Sequence, residues 1–489
     1  MNLARYCLEN ASPDPADVAL EVIGPEGEGL ETWTYGVLRD TILRIAGGLQ
    51  SAGLRRGDRV LIRLGHSSDF PLVFFGAIAG GFVPVPTSDL LTSVEAGQIL
   101  SDSGAALVVH DGKTALPASS LPLLSPEALK TGAIPGFEDT GPDDPAFLIY
   151  TSGTSGTPKG VLHGQRAAAA RSPMYADWYG LERTDRLLHA GAFNWTYTLG
   201  VGLMDPWANG ATSLVYSGPR DPAVWPRLLE ASGATLFAAV PSLYRRILKY
   251  ADVTAGSFPA LRHGLTAGEA LAADLHLEWT TRTSRPLYEA LGMSEISTYI
   301  SSGPTVPVRP GSPGKPQAGR RVAILSEASE TPEQAGADAV GLLSVHRSEP
   351  GLMLRYWNRP GETESAFRGD WFLTGDRARQ DRDGYIWYEG RADDVMNAFG
   401  YRVAPEEVER ALMRHEEVAE VAVTSVEARP GVHLITAFVV PRDPGFEDAT
   451  VLAAHAGGCL AEYKRPKAYR FVSSLPRTPS GKLQRKSLV

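Results

Sequence analysis

The sequence predicts an α/β protein, with a large N-terminal domain of layered β-sheets and helices and a small α+β C-terminal domain. Strand-like apolar runs alternate with helical ones as far as Trp371, the pattern of layered sheets with partly parallel strands. Beyond Trp371 the texture changes to a hairpin signal, a helix with acidic start and basic end, and two long apolar runs. A length of 489 residues suits roughly two to four domains, each able to bury its own core.

Each element follows from its local pattern. In "TWTYGVLRDTILRIAGGLQSAGL", Leu38, Ile42, Ile45 and Leu49 recur at helical spacing. "DRVLIRL" reads as a strand. The uncharged stretch 70–88, "FPLVFFGAIAGGFVPVPTS", contains prolines and glycines that would break a membrane-spanning helix, so it reads as a buried helix followed by a strand. "ALVVHD" is a further strand. "ATLFAAVPSLYRRIL" gives a strand, a proline and a helix with Leu243 and Ile247 facing inward. Residues 326–339 form a polar surface loop. Asp383-Gly384 lies between polar and aromatic runs and signals a hairpin. A helix starts at Pro405, with charges that suit its dipole. "VAEVAVTSV" and "VHLITAFVVP" are strands. The boundary falls near residues 391–394, dividing the chain into 1–391 and 392–489. Gly390 and Gly400 bracket a charged segment suited to a hinge.

Composition excludes several classes. The net charge is -9 and the basic residues are scattered, which argues against a nucleic-acid partner. The N-terminal stretch lacks the apolar segment of a signal peptide, so a soluble cytoplasmic protein without a membrane partner is expected. Cys7 and Cys459 form no CxxC pair and read as reduced thiols. No HExxH or GxSxG motif is visible.

The stretch "LIYTSGTSGTPKGVLHG", residues 148–164, crowds hydroxyls and glycines before Lys159. Glycine lets backbone N–H groups approach a phosphate, hydroxyls add donors and lysine adds a mobile charge. A strand precedes the loop, and "GQRAAAARSPMYADWY" after it looks helical, so a strand–loop–helix setting is expected. The lysine spacing is not that of a P-loop, and no GxGxxG follows a strand.

"YTSGTSGTPKGV" resembles the phosphate loop of the adenylate-forming enzymes: acyl- and aryl-CoA synthetases, luciferases and adenylation domains of peptide synthetases. Further motifs follow in the family's order: "LTAGEAL", "EALGMSE", "GSPGKP", "WFLTGD", "YEGRADDVMNAFGYRVAPEEVE" and "PRTPSGKLQRKSL". The resemblance is to the benzoate-CoA ligase and medium-chain acyl-CoA synthetase groups in particular. It implies the adenylate-forming fold with a mobile small domain, and ATP, Mg2+ and coenzyme A as partners in catalysis. A carboxylic acid would attack the α-phosphate of ATP to give an acyl-adenylate and pyrophosphate. A thiol would then take the acyl group and release AMP.

The same resemblance implies the residue roles. Thr151, Ser152, Gly153, Thr154, Ser155, Gly156, Thr157 and Lys159 would cradle the β- and γ-phosphates. Gly268, Glu269 and Ala270, with Glu289, Ala290, Leu291, Gly292, Met293 and Ser294, would surround the nucleotide. Asp376 would accept bonds from the ribose hydroxyls, and Arg391 would contact ribose or phosphate. Glu295 would help hold Mg2+, with Thr151 beside it. Lys482 would be the catalytic residue, bridging the attacking carboxylate and the phosphate. Asp393 matches the hinge; Phe399, Gly400 and Tyr401 would approach the pantetheine arm. Two positions depart from the family pattern. Leu291 stands where an aromatic residue often stacks on adenine, and Asn397 where lysine is frequent.

The acid pocket is expected from Asn194, Trp195, Tyr197, Ala239, Val240 and Ile296. No clear counterpart of the aspartate that anchors an amino group is seen, which favours a compact apolar acid: aromatic, alicyclic or medium-chain. The acceptor would be coenzyme A. A free-standing enzyme loading a carrier protein is the alternative, and a non-catalytic nucleotide sensor is a more distant one. A homodimer is compatible with the sequence.

Overall fold

The computed structural model of the chain describes residues 1–152, 158–219, 221–327, 329, 331–391, 396–398, 401–403, 405–429, 432–476 and 485–488. Among these, the largest sheet has nine strands. Its centre is parallel and runs, in spatial order, Val18–Ile23, Thr212–Tyr216, Arg186–His189, Leu236–Ala239, His263–Thr266 and Leu287–Met293. Antiparallel strands close both edges. These central strands are short and almost continuously buried, as strands covered on both faces must be.

A second, all-parallel sheet of four strands carries Arg59–Arg63, Val83–Pro86 and Leu107–His110. The helix Tyr35–Ser51 packs Leu38, Ile42, Ile45 and Leu49 at 0% exposure, and Thr34 caps its start by accepting from the Val37 N–H. The uncharged stretch forms the helix Asp69–Ala79 and the strand Val83–Pro86, both buried. No helix among the described residues is long and apolar enough to cross a membrane.

One expectation needs correcting. The loop at 153–157 does not lie between a strand and a helix. Residues 158–164 form a strand antiparallel to Pro145–Ser152, so the loop is the tip of a hairpin. Val161 and Leu162 are wholly buried there, and that burial favours pairing over a helical start. The helix Pro241–Tyr250 is present, with Pro241, Tyr244, Ile247 and Leu248 buried and Leu243 half-buried against the same core cluster.

A buried ion pair ties the centre together. The Arg171 guanidinium donates from Nε (2.7 Å) and Nη2 (2.6 Å) to Asp205, and Tyr179 donates its hydroxyl to the same carboxylate at 2.6 Å. Both charged side chains are almost fully enclosed. Removing one partner of such a pair leaves a desolvated charge, at a cost of about 3–5 kcal/mol. Asp205→Ala is therefore expected to lower the melting temperature by about 10 °C. The apolar double variant Arg171→Met/Asp205→Leu should recover most of it in the same thermal melt.

The small domain pairs Val418–Arg429 with Val432–Pro441 antiparallel, adds Ala468–Phe471 in parallel, and covers one face with the helices Pro405–Leu412 and Ala449–Cys459. The expected junction at 391–392 adjoins residues 392–395, which lie outside the described residues. The two domains meet through Lys464. Its ammonium lies 2.7 Å from Glu407 in the small domain and 3.2 Å from Glu95 in the large one. Glu95 also accepts from the Ala461 N–H at 3.1 Å.

Candidate active site

The hairpin that carries the loop sets one end of the site. Thr151 and Lys159 are opposite partners across it, just outside the tip. The Lys159 ammonium sits 2.9 Å from Glu362 and 4.1 Å over the Tyr356 ring, so it is held near the loop but not sunk into the core. Gly153, Thr154, Ser155, Gly156 and Thr157, and the side chain of Ser152, lie outside the described residues. His163 on the same hairpin is 2.8 Å from the Ser294 carbonyl; burial holds its pKa down at about 4, so the neutral ring donates there. That contact fixes the hairpin against residues 289–295.

Parallel pairing of His263–Thr266 with Leu287–Met293 sets the loop after the first strand beside the second strand. Gly268, Glu269 and Ala270 from the loop, and Glu289, Ala290, Leu291, Gly292 and Met293 from the strand with Ser294 just after it, line a single cavity of about 1040 Å3. Asp376 lines it too, is 6% exposed, and pairs across its sheet with Arg391. The side chain of Arg391 lies outside the described residues. Gly314 of the "GSPGKP" turn has φ +121°, and a Cβ there would come within 2.1 Å of the Ser301 backbone. Only glycine lets that turn close against the strand behind the site.

Glu289 accepts from the Leu271 N–H at 2.9 Å and is otherwise enclosed. Burial pushes its pKa from an ordinary 4.5 to about 8, so the native chain holds a proton that the unfolded chain has lost. Native stability contributed by this group is therefore intact below pH 4.5 and falls as pH rises toward 8. Glu289→Gln keeps the acceptor and removes the titration. Thermal melts of the two proteins should agree near pH 5, and the variant should melt about 2–5 °C higher at pH 8.

Glu295 sits in the turn after Met293, 5% exposed. Tyr356 donates to its Oε1 at 2.9 Å, and its Oε2 has no partner among the described residues. A buried carboxylate oxygen left over in this way suits a hard cation that also takes phosphate oxygens. No cluster of three or more metal-ligating side chains occurs among the described residues. A cation here would thus rest mainly on Glu295 and bound phosphate.

The remaining expected residues divide. Asn194, Trp195 and Tyr197 line the cavity; Ala239, Val240 and Ile296 do not. Ala239 ends a core strand and Ile296 packs into the cluster around Tyr299 and Leu343. Tyr197 meets His189 edge-on at 4.5 Å and stacks on Trp178. Trp195 instead meets Tyr401 of the small domain edge-on at 4.4 Å, and Tyr401 stacks on Tyr463 at 3.8 Å. Asp393, Phe399, Gly400 and Lys482 lie outside the described residues. Sequence reading missed Lys464 and Glu95, which no local pattern links because 369 residues separate them. It also passed over Arg245, Arg246 and Lys249, cavity-lining residues whose signal was the run "RRILK" on the helix after "AAVP".

The family profile of AMP-binding enzymes matches residues 8–357, and the profile of the AMP-binding enzyme C-terminal domain matches 407–482. A benzoate–CoA ligase of Thauera aromatica is 32% identical over 93% of this chain and 90% of its own. A 3-hydroxybenzoate–CoA ligase of Aromatoleum sp. is 30% identical over 94% of this chain and 91% of its own. Among solved structures, a malonyl-CoA ligase with methylmalonyl-CoA and AMP bound aligns with a TM-score of 0.83 and 30% identity, covering 96% of this chain and 99% of that one.

Proposed function

The chain belongs to the AMP-binding enzyme family and is an AMP-forming acid–thiol ligase; on that premise we propose that it activates a compact, largely apolar carboxylic acid with ATP and passes the acyl group to coenzyme A. The acid is aromatic, alicyclic or medium-chain. One observation carries the reading: a single cavity runs from Thr151 and Pro158 at the phosphate hairpin, past Gly292 and Asp376, to Tyr197 and Tyr401. A nucleotide, an acid and a thiol arm can meet in it without crossing protein.

The chemistry needs no protein nucleophile, because the acid's carboxylate attacks phosphorus itself. The residues' task is to hold the reactants and offset negative charge. The hairpin loop and Lys159 take the departing phosphates, Glu362 giving up its pair with Lys159 when phosphate arrives. Asp376 orients the ribose, and the protonated Glu289 can donate as well as accept beside the base. Mg2+ on Glu295 would supply charge neutralisation to the phosphates. Lys482 supplies the cation at the bond being made. Trp195, placed against Tyr401, belongs to the thiol arm's approach, which leaves Asn194 and Tyr197 to face the acid.

A pyrophosphate-release screen over carboxylic acids, each with and without coenzyme A, tests this. Compact apolar acids should release pyrophosphate, and coenzyme A should be needed for AMP turnover. Release only with amino acids or dicarboxylates would overturn the acid class.

A further inference from the structure

The lysine of the phosphate hairpin stands off the cavity it is expected to serve. Lys159 lies directly opposite Thr151 across the hairpin, so the two side chains leave the same face. Thr151 lines the cavity, as does Pro158, the residue before Lys159; Lys159 itself does not. Its ammonium is drawn aside, 2.9 Å from Glu362 Oε2 and 4.1 Å over the Tyr356 ring. The same Tyr356 donates its hydroxyl to Glu295 at 2.9 Å, so the lysine is parked on the ring that steadies the candidate metal carboxylate. A lysine stem is flexible and its head is a point charge, so rotation about the stem can carry the ammonium from this place to the cavity.

The parking place is built for exchange. Glu362 lies on the short helix Pro360–Ser365 and offers one oxygen to each of two cations: Oε2 to Lys159, and Oε1 to the Arg359 guanidinium at 2.8 Å. Burial alone would raise its pKa, but hydrogen bonds from Lys159 and Arg359 more than offset that and hold the carboxylate below its ordinary value. Arg359 also donates to the Pro158 carbonyl at 3.3 Å, which keeps it beside the tip of the same hairpin. When Lys159 leaves, Glu362 still has Arg359, and a side chain that is 40% exposed still has water. Parting such a pair costs little. A polyphosphate carries several charges where Glu362 carries one, so it takes the lysine. Glu362 nevertheless favours the state in which the lysine is parked, and what favours that state weakens the hold on phosphate.

We propose that Glu362 is a positioning residue for product departure: it reclaims Lys159 once pyrophosphate has formed, and so loosens the enzyme's hold on that product. The inference rests on the ligase reading above and adds a residue that ends the first half-reaction. No bond or proton is exchanged. The ammonium moves between two anions, and Arg359 keeps Glu362 paired throughout.

The test is calorimetric titration of the full chain with inorganic pyrophosphate in the presence of Mg2+, for native protein, Glu362→Gln, Lys159→Gln and the double variant. Glu362→Gln should bind pyrophosphate about three- to fivefold tighter. Lys159→Gln should bind it more weakly, and adding Glu362→Gln to that variant should change nothing further. Raised ionic strength should narrow the gap between native protein and Glu362→Gln. In turnover with an accepted acid, pyrophosphate should inhibit Glu362→Gln at a lower concentration than native protein, and KM for ATP should fall. A residue that only props the helix would loosen pyrophosphate when changed, not tighten it. Unchanged or weaker pyrophosphate binding by Glu362→Gln overturns the proposal, as does equal tightening in the Lys159→Gln background. If pyrophosphate tightens through Lys159 as expected but no acid releases it from ATP, the ligase reading falls and the exchange stands.

Discussion

Replacing Lys482 with alanine is expected to cut acyl-adenylate formation by two to three decades, about 10²–10³-fold, and to leave thioester formation from supplied acyl-adenylate intact. Charge concentrates in the first half-reaction where carboxylate meets phosphorus, and one cation there is worth that much. The described residues flanking Lys482 stay on the small domain. Leu475 and Leu488 pack against Ala422, Val426 and Phe438, and Arg485 pairs with Glu409 at 2.8 Å. Neither Pro476 nor Arg485 lines the cavity. Rapid-quench measurement of both half-reactions checks the expected difference. Equal loss in both, with an unchanged melting temperature, would sink the separate-role argument.

The second large effect belongs to Lys464. Lys464→Met leaves Glu407 and Glu95 facing each other in a nearly closed space without the ammonium between them. Burial lowers the pKa of such a lysine, but Tyr463, Glu407 and Glu95 more than offset it and hold the group charged. Breaking a buried cluster of this kind costs about 3–5 kcal/mol. Part of that cost falls on the present arrangement of the domains, because Glu95 comes from the large one. Thioester formation from supplied acyl-adenylate should slow about 100-fold, with adenylation slowed much less. Glu95→Gln should show a smaller loss, and combining it with Lys464→Met should add little. Additive losses would show that Lys464 and Glu95 do not act as a pair.

Much of this was legible in the sequence. The helical spacing around Ile42, the buried stretch 70–86 and the Asp383-Gly384 hairpin, where Gly384 takes φ +86°, all follow from local pattern, and local pattern is what those elements obey. The phosphate hairpin was misread because residues 158–164 carry a proline, a lysine, a histidine and two glycines, a poor strand signature. Their pairing with residues 145–152 and burial in the core decide the matter. Ile296 was misplaced for a similar reason. Ser294 and Ser297 line the cavity, but Ile296, in the turn between the two strands, packs into the core around Tyr299 and Leu343. Contacts that join the domains, Lys464 to Glu95 and Trp195 to Tyr401, depend on how two separately folded bodies meet. No window of sequence contains both partners.

That last contact makes the protein its own optical gauge. The Trp195 indole rests edge-on against a tyrosine of the other domain, itself stacked on Tyr463. A turn of the small domain that parts the indole from Tyr401 exposes it to water. Emission lost in a Trp195→Phe control would isolate that signal from the other tryptophans. Stopped-flow traces could then time the turn against each chemical step, with no label attached.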